Sequence, residues 1–333
     1  MSNYNTNSFQ AQQQEQMEAF VKMLTALLAA ELHIAVEAIE YRKISKNNGT
    51  ELDAITIRPE GGAPTLAPTI YLERCLKRYQ DGIPAEQIAK DIAAEVSPKL
   101  GHQVNEVITP GAIPDNSFAT VINAKANEEL LRDVPHRLIA DGELAVIPRA
   151  HVTLPGEDSS GSFIVRDGFL AMDGLEMTRD ELLDRAIANT VSKGYTLRGM
   201  SEVLKESLGD AFTDTMMDEI FPDEERIYVL TNPDKMYGAN ALLCKEALQE
   251  VAERFGEVFI LPSSIHEVLI VPKRDGMELS DLEDMVRSVN QTEVPPEEVL
   301  ADKVFALKGT KLVLARETEQ EAMVRTHAAS RSL

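Results

Sequence analysis

The clearest pattern of apolar and polar positions along the chain lies between residues 226 and 272. Two short apolar runs, 258–261 and 268–271, are bounded by polar turn residues, which is the pattern of buried strands. Before them, apolar residues recur at helical spacing across 239–255, after another short apolar run. The segment near 226–272 therefore predicts a strand–helix–strand–strand unit.

The first third of the chain predicts a separate group of elements. Residues 1–12 are polar and rich in Asn and Gln, so we expect a disordered tail. Residues 13–97 predict an N-terminal helix, a hairpin and two further helices. The hairpin turns at Asn47-Asn48-Gly49, because Asn and Gly tolerate positive φ. Proline and glycine recur across 98–115, which predicts a linker or long loop.

The main domain is predicted to span 116–316, followed by a polar tail at 317–333. Helical spacing resumes near 116–132, and strand-like runs then alternate with helical segments. Strand pairs followed by helices are typical of antiparallel sheets that carry their helices on one face. We therefore expect an α+β fold with antiparallel-rich sheets and helices packed on them.

Local turn and capping signals refine this domain. Asp167-Gly168 predicts a tight hairpin between two short apolar runs. Thr178–Glu181 and Ser280–Glu283 both have the spacing of a capping box, in which a hydroxyl and a carboxylate bond each other's backbone N–H groups. Each is therefore expected to begin a helix.

Composition narrows the classes of partner and compartment. The chain holds 33 Lys and Arg against 55 Asp and Glu, a formal charge of −22. Such a surface repels phosphate backbones and anionic lipids, so we expect neither a direct nucleic-acid partner nor a membrane partner. Cys75 and Cys244 occupy helical patterns, which indicates buried free thiols. With no signal-peptide pattern at the N-terminus, the chain is expected in the cytoplasm. No cofactor or metal motif is present, so we expect none.

One candidate for catalysis lies between the two predicted strands. Ser264 and His266 are two residues apart, so in an extended chain they would share a face, and a histidine can activate a serine nucleophile. Glu267 would then face away, and the orienting acid must come from elsewhere. The alternative is a turn in which His266 has a structural role. His136 and His151 are isolated and are interpreted as structural histidines.

A second candidate is the loop that follows the first strand of the 226–272 unit. Asn232, Asp234, Lys235 and Tyr237 lie on it, and backbone N–H groups at the next helix start can bind an anion. The alternative is that Asn232 or Asp234 caps that helix. Together with Ser263, Ser264, His266 and Glu267, these residues define the predicted ligand-binding edge.

A third candidate is a row of carboxylates at four-residue spacing. Neighbouring like charges on a helix repel, and a basic protein partner or a bound divalent cation would relieve that repulsion. With a basic partner, the protein would mimic the charge of DNA. The alternative is the solvated face of an amphipathic helix. The row consists of Glu202, Glu206, Asp210, Asp214 and Asp218.

The chain also resembles a known family. The segments YVLTNPDKMYGANALL and FILPSSIHEVLIVP, together with the early and terminal hairpins, are similar to a bacterial family of unknown function, DUF 5688, common in gut Firmicutes. The resemblance extends from about residue 15 to 315. It implies no activity and no catalytic residue.

Taken together, these patterns favour a cytoplasmic α+β protein that acts by binding. Its expected ligand surface is the edge formed by loops 232–238 and 263–267. Two alternatives remain at this point: a hydrolase that uses Ser264 and His266, and an acidic protein that binds a basic partner.

Overall fold

The structure is a computed structural model that describes residues 3–58, 67–100, 109–153, 160–172, 174–208 and 227–316. The strands are β1 (Ile39–Ser45), β2 (Glu51–Ile57), β3 (Thr69–Tyr71), β4 (Ser117–Asn123), β5 (Arg137–Ile139), β6 (Leu144–Thr153), β7 (Ser160–Ile164), β8 (Thr196–Gly199), β9 (Tyr228–Thr231), β10 (Val258–Leu261), β11 (Val268–Pro272), β12 (Phe305–Lys308) and β13 (Lys311–Leu314).

The α-helices are α1 (Asn3–Leu32), α2 (Leu72–Gln80), α3 (Ala85–Val96), α4 (Ile113–Asn116), α5 (Glu128–Leu131), α6 (Asp167–Leu170), α7 (Arg179–Ser192), α8 (Met200–Leu208), α9 (Lys245–Phe255) and α10 (Leu279–Thr292). With its strands paired antiparallel and its helices packed beside them, the chain has the α+β fold expected from the sequence.

The chain divides into two units, and the first comprises residues 1–109 and 152–160. Its sheet has the order β1-β2-β3, and the predicted hairpin is confirmed by the antiparallel β1–β2 pair. Asn48 and Gly49 at the turn have φ of 61° and 67°, the left-handed conformation that the sequence requires there. Phe20, Leu24, Ile55 and Ile88 are almost fully buried in its core.

The structure differs from the sequence pattern at the beginning of this unit. Helix α1 begins at Asn3, where the pattern predicts a disordered tail as far as residue 12. The boundary between the units, at Thr109 and Pro110, falls within the range 98–115 where a linker is expected.

The second unit comprises residues 110–151 and 161–333 and contains a six-stranded antiparallel sheet. The strand order is β13-β12-β10-β11-β9-β8. The predicted strand–helix–strand–strand unit is present as β9, α9, β10 and β11. One detail differs: residues Gly238–Leu243 form a 3-10 helix, and extended backbone at Cys244 separates it from α9.

A second sheet of this unit has the order β4-β6-β5, with β7 also paired to β6. The helix predicted near 116–132 is wrong over Ser117–Asn123, which form β4, and right only at its end, where α5 lies. Its first six residues are buried, with Ala119 packed on one side against α7 and Ile122 on the other against Ala145. A strand buried on both faces has no alternation of apolar and polar residues, so its pattern is easily taken for a helix.

Two local predictions in this unit are also wrong, and one is confirmed. Asp167-Gly168 lies in the short helix α6 and makes no hairpin turn. Helix α10 begins at Leu279 after Glu278, without the capping box predicted at Ser280. The box at Thr178 is confirmed, because the Thr178 N–H donates to Glu181 Oε2 at 2.8 Å and Thr178 Oγ1 accepts from the Glu181 N–H.

Candidate functional site

The structure brings the two predicted loops together. Strands β9 and β11 are neighbours in the six-stranded sheet, so loop 232–238 and loop 263–267 meet at one end of that pair. Thr231 Oγ1 donates to the His266 carbonyl at 2.7 Å, and the Ala239 N–H donates to the Ile265 carbonyl at 3.2 Å. We call this pair of loops the two-loop edge.

Gly238 is the residue that allows this close approach. A Cβ atom at this position would lie 1.8 Å from Thr231 Oγ1 and 2.3 Å from the His266 carbonyl oxygen. No side chain fits such a space without moving backbone. The sequence shows this glycine, but the reason for it is visible only when the second loop is in place.

The hydrogen bonds of His266 do not form a serine–histidine dyad. Its ring Nδ1 accepts from the Tyr237 N–H at 3.1 Å, and Nε2 lies 3.6 Å from Glu298 Oε1. Since Nδ1 is an acceptor, the neutral ring carries its proton on Nε2, facing Glu298. Ser264 Oγ instead accepts from the His266 backbone N–H at 3.0 Å. The imidazole thus makes its hydrogen bond through Nδ1 to the Tyr237 backbone, and neither ring nitrogen is bonded to the serine hydroxyl.

The orientation expected for Glu267 from the sequence is wrong. Glu267 does not face away from the serines, because Ser264 Oγ donates to Glu267 Oε1 at 3.0 Å and Ser263 Oγ does so at 3.4 Å. The chain is not extended here. The Ser264 N–H donates to the Glu267 carbonyl at 3.2 Å, so the segment folds back as a turn.

The interior of the first loop is held by side-chain amides. Asn232 is 8% exposed, and its Nδ2 donates to the Met236 carbonyl at 2.9 Å. Asn240 Nδ2 donates to the Ala119 carbonyl at 3.1 Å and ties the loop to β4. The following 3-10 helix has no side-chain cap, so the predicted capping role of Asn232 or Asp234 is wrong. Asn232 closes its own loop instead.

The rim of the first loop carries ion pairs. Asp234 lies 3.5 Å from Lys193, and Lys235 donates to Glu206 at 2.9 Å. Lys235 and Arg198 together lower the pKa of Glu206 to about 2. Of the acidic row, Glu202 also pairs with Arg198 at 2.9 Å, while Asp210, Asp214 and Asp218 lie outside the described residues.

Tyr237 stands at the outer end of the two-loop edge. Its backbone has a φ of 54°, a left-handed conformation that is uncommon for an aromatic residue. Its ring centroid lies 5.8 Å from the ring of Phe118 and 5.8 Å from that of His266. Arg149 covers the ring, with Cζ 4.7 Å from the centroid. Phe118 in turn stacks on His151 at 4.3 Å.

Sequence reasoning missed Phe118 and Arg149 and interpreted His151 as an isolated histidine. Phe118 pairs with Arg149 in the β4–β6 register, and His151 follows two residues later on the same face of β6. The available signal was Arg149, a charged residue in an otherwise apolar strand. Its importance depends on Tyr237, which is 88 residues later in the chain and reaches it only through the fold.

Burial affects the titration of both cationic groups near Tyr237. Desolvation lowers the pKa of the Arg149 guanidinium. Desolvation, followed by the nearby Lys193, lowers the pKa of His151. Burial therefore disfavours the charged form of both basic side chains.

A separate open groove of about 650 Å³ lies around His136, lined also by Lys125, Arg132 and Arg179. His136 has the structural role expected of it, since its Nδ1 lies 2.9 Å from the Val134 carbonyl. None of the two-loop residues lines this groove. Among the described residues, no group of three His, Cys, Asp or Glu is arranged to hold a metal ion.

The fold and the site define an α+β protein with a rigid polar edge beside its six-stranded sheet. The chain matches the model of a family of unknown function, DUF5688, over residues 17–308, and it belongs to this family. The resemblance noted from the sequence is thereby confirmed. Searches of curated proteins and of solved structures gave no significant match. Within the part of the chain that the structure describes, no helix has the length and apolar character needed to cross a bilayer.

Proposed function

We propose that this protein acts by binding a polar ligand at the two-loop edge and does not catalyse a reaction there. The observation that carries this proposal is the Tyr237 N–H bond to His266 Nδ1. A general base needs a free ring nitrogen within reach of the group it deprotonates. In His266 the unprotonated nitrogen, Nδ1, already accepts a hydrogen bond from the Tyr237 backbone N–H, which supports a structural role for the ring.

The ligand surface is proposed to lie on the outer side of Tyr237 and His266. Their positions are fixed by bonds between the two loops, and preorganised side chains lose little entropy when a ligand binds. Asn232 and Ser264, at 8% and 6% exposure, support the surface from inside and do not form its face.

We also propose that the protein works in the bacterial cytoplasm. Cys75 and Cys244 are free and buried, and neither has a disulfide partner among the described residues. Free thiols persist in reducing compartments.

The test combines a ligand screen with an activity screen. A library of polar small molecules is scanned by thermal shift against the wild type, Tyr237→Asn and Ser264→Ala. Asn tolerates the left-handed backbone at position 237, so this variant removes the ring and keeps the loop. Tyr79→Asn, at an exposed tyrosine of the first unit, is the control.

We expect ligands whose stabilisation of the wild type disappears in Tyr237→Asn and persists in Ser264→Ala and in the control. The same proteins are assayed with a panel of ester and amide substrates. Hydrolysis by the wild type that is abolished in both Ser264→Ala and His266→Gln would overturn the proposal, as would a complete absence of ligands that depend on Tyr237.

A further inference from the structure

The guanidinium of Arg149 differs from those of Arg137 and Arg185 in the same unit. Arg137 pairs with Asp184 at 2.9 Å and Arg185 pairs with Asp115 at 2.6 Å, both on exposed surface. Arg149 is half-buried, and no carboxylate among the described residues forms an ion pair with it. In a protein of charge −22, a cation that lacks a carboxylate is unexpected.

The unpaired guanidinium of Arg149 lowers the stability of the fold unless an external anion pairs with it. A charged group removed from water is destabilising when it is not paired. Ser162 provides only neutral oxygens: its Oγ lies 3.3 Å from Nε and 3.2 Å from Nη2, and its carbonyl lies 3.2 Å from Nη2. These bonds orient the guanidinium but do not neutralise it.

The same contacts leave Nη1 without an acceptor among the described residues. Ser162 accepts from Nε through its Oγ and from Nη2 through both its Oγ and its carbonyl. Tyr237 covers the flat face at 4.7 Å. The two N–H groups of Nη1 belong to the planar fork of donors by which arginine binds a carboxylate or a phosphate.

One further polar side chain lies beside Arg149. His151 is exposed and lies two residues along β6, on the same face as Arg149. Asp234, the carboxylate close to this cluster, is already paired with Lys193 at 3.5 Å.

We propose that Arg149, held by Ser162 and Tyr237 and flanked by His151, binds the oxyanion group of a small anionic ligand through Nη1. The oxyanion is a carboxylate or a phosphate, both of which accept such charge-assisted hydrogen bonds. The proposal rests on the proposed binding function, because Tyr237 belongs to both, and it specifies the charge class of the ligand.

The experiment titrates the full-length protein with inorganic phosphate in one arm and succinate in the other, at constant ionic strength, by calorimetry. The variants are Arg149→Met, which removes the charge at similar volume, and Arg149→Lys, which keeps the charge without the fork. Arg185→Met is the matched control, since Arg185 lies in the same unit and its partner is Asp115.

We expect saturable binding of phosphate or succinate to the wild type, and the arm that saturates identifies the oxyanion. Arg149→Met should weaken binding at least about tenfold, with a smaller loss in Arg149→Lys and none in Arg185→Met. Arg149→Met should also unfold at a temperature no lower than the wild type, because it removes an unpaired charge. If Arg149 served only to stabilise the fold, Arg149→Met would unfold at a lower temperature than the wild type.

Two results would overturn the inference: no saturation in either arm, or binding by Arg149→Met equal to that of the wild type. They are distinguishable from failure of the binding function. If library ligands depend on Tyr237 and not on Arg149, the binding function stands and this inference fails. If a hydrolase activity depends on Ser264 while phosphate binding depends on Arg149, the inference stands and the proposed function fails.

Discussion

At the scale of single residues, Tyr237 and Gly238 owe their roles to the contacts of their own backbone atoms. Tyr237 adopts a left-handed conformation that presents its ring to Arg149 and its N–H to His266. Gly238 then passes against Thr231 and the His266 carbonyl, where no Cβ fits. Both residues set the geometry of the two-loop edge through their backbones.

Gly238→Ala is expected to lower the free energy of unfolding of the second unit by about 1–3 kcal/mol or more, because the added methyl group must displace backbone. Urea unfolding followed by circular dichroism measures the change. Gly168→Ala is the matched control, since a Cβ there meets no atom within 4 Å. It should change stability by less than about 0.5 kcal/mol. Equal effects of the two substitutions would contradict the close-approach argument.

At the scale of elements, the outer edge of β4 shows how the two sheets of the second unit are joined. Among the described residues, β4 is the end strand of its sheet, and one side of its backbone has no strand partner there. On this side, side chains form hydrogen bonds with the backbone of β4. The Ala119 N–H donates to Thr190 Oγ1 at 2.7 Å, and the Ala119 carbonyl accepts from Asn240 at 3.1 Å. At Ala119 these bonds use the backbone groups to which an added strand would pair.

Thr190→Val is therefore expected to destabilise the second unit by about 1–3 kcal/mol, because it leaves the buried Ala119 N–H without an acceptor at nearly constant volume. Thr190→Ser keeps the hydroxyl and should retain most of the stability. Chemical denaturation of the three proteins under one set of conditions compares them. A valine variant as stable as the serine variant would exclude the proposed role of this hydrogen bond.

Glu206 links α8 to β8 and to the first loop through Arg198 and Lys235. Its pKa is lowered from its usual value to about 2, chiefly by Lys235 and then by Arg198. A depressed pKa contributes stability above the unfolded-state pKa and loses it as the pH falls. This contribution is complete at neutral pH and declines between about pH 4.5 and pH 2.

We expect Glu206→Gln to be less stable than the wild type at neutral pH, with a difference that shrinks progressively below about pH 4.5. Denaturation curves across this pH range measure it. Because Glu206 is solvent-exposed, the difference at neutral pH should also fall in about 1 M salt. A difference that is independent of both pH and salt would assign the effect to packing rather than to charge.

At the scale of the whole molecule, the net charge of −22 dominates solution behaviour. Carboxylates protonate as the pH falls, and the net charge reaches zero near the sequence pI of about 4.7. Without net repulsion, molecules associate. Self-association is therefore expected to be greatest near this pH.

Light scattering of dilute protein from neutral to acidic pH tests this expectation. The scattering should rise steeply near the pI of about 4.7 and remain low at neutral pH. Circular dichroism on the same samples separates association of the folded protein from acid unfolding. Strong scattering at neutral pH would show that an apolar surface, and not charge, controls association.

Local patterns in the amino-acid order were enough to predict the α+β class, the Asn47–Gly49 hairpin and the β9–α9–β10–β11 unit. These elements depend on turn chemistry and on periodicity within about 10 to 15 neighbouring residues. The proximity of the two loops could also be predicted, because β9 and β11 belong to the same strand–helix–strand–strand unit.

Strand β4 and the contact between Arg149 and Tyr237 were decided by long-range packing. Strand β4 was mistaken for a helix because burial on both faces removes the polar alternation that marks a strand. Arg149 and Tyr237 are distant in the chain, and they meet because Asn240 holds the first loop against β4 while β4 pairs with β6. No local pattern encodes such a contact. It arises from the burial of apolar surface and the satisfaction of backbone polar groups over the whole unit.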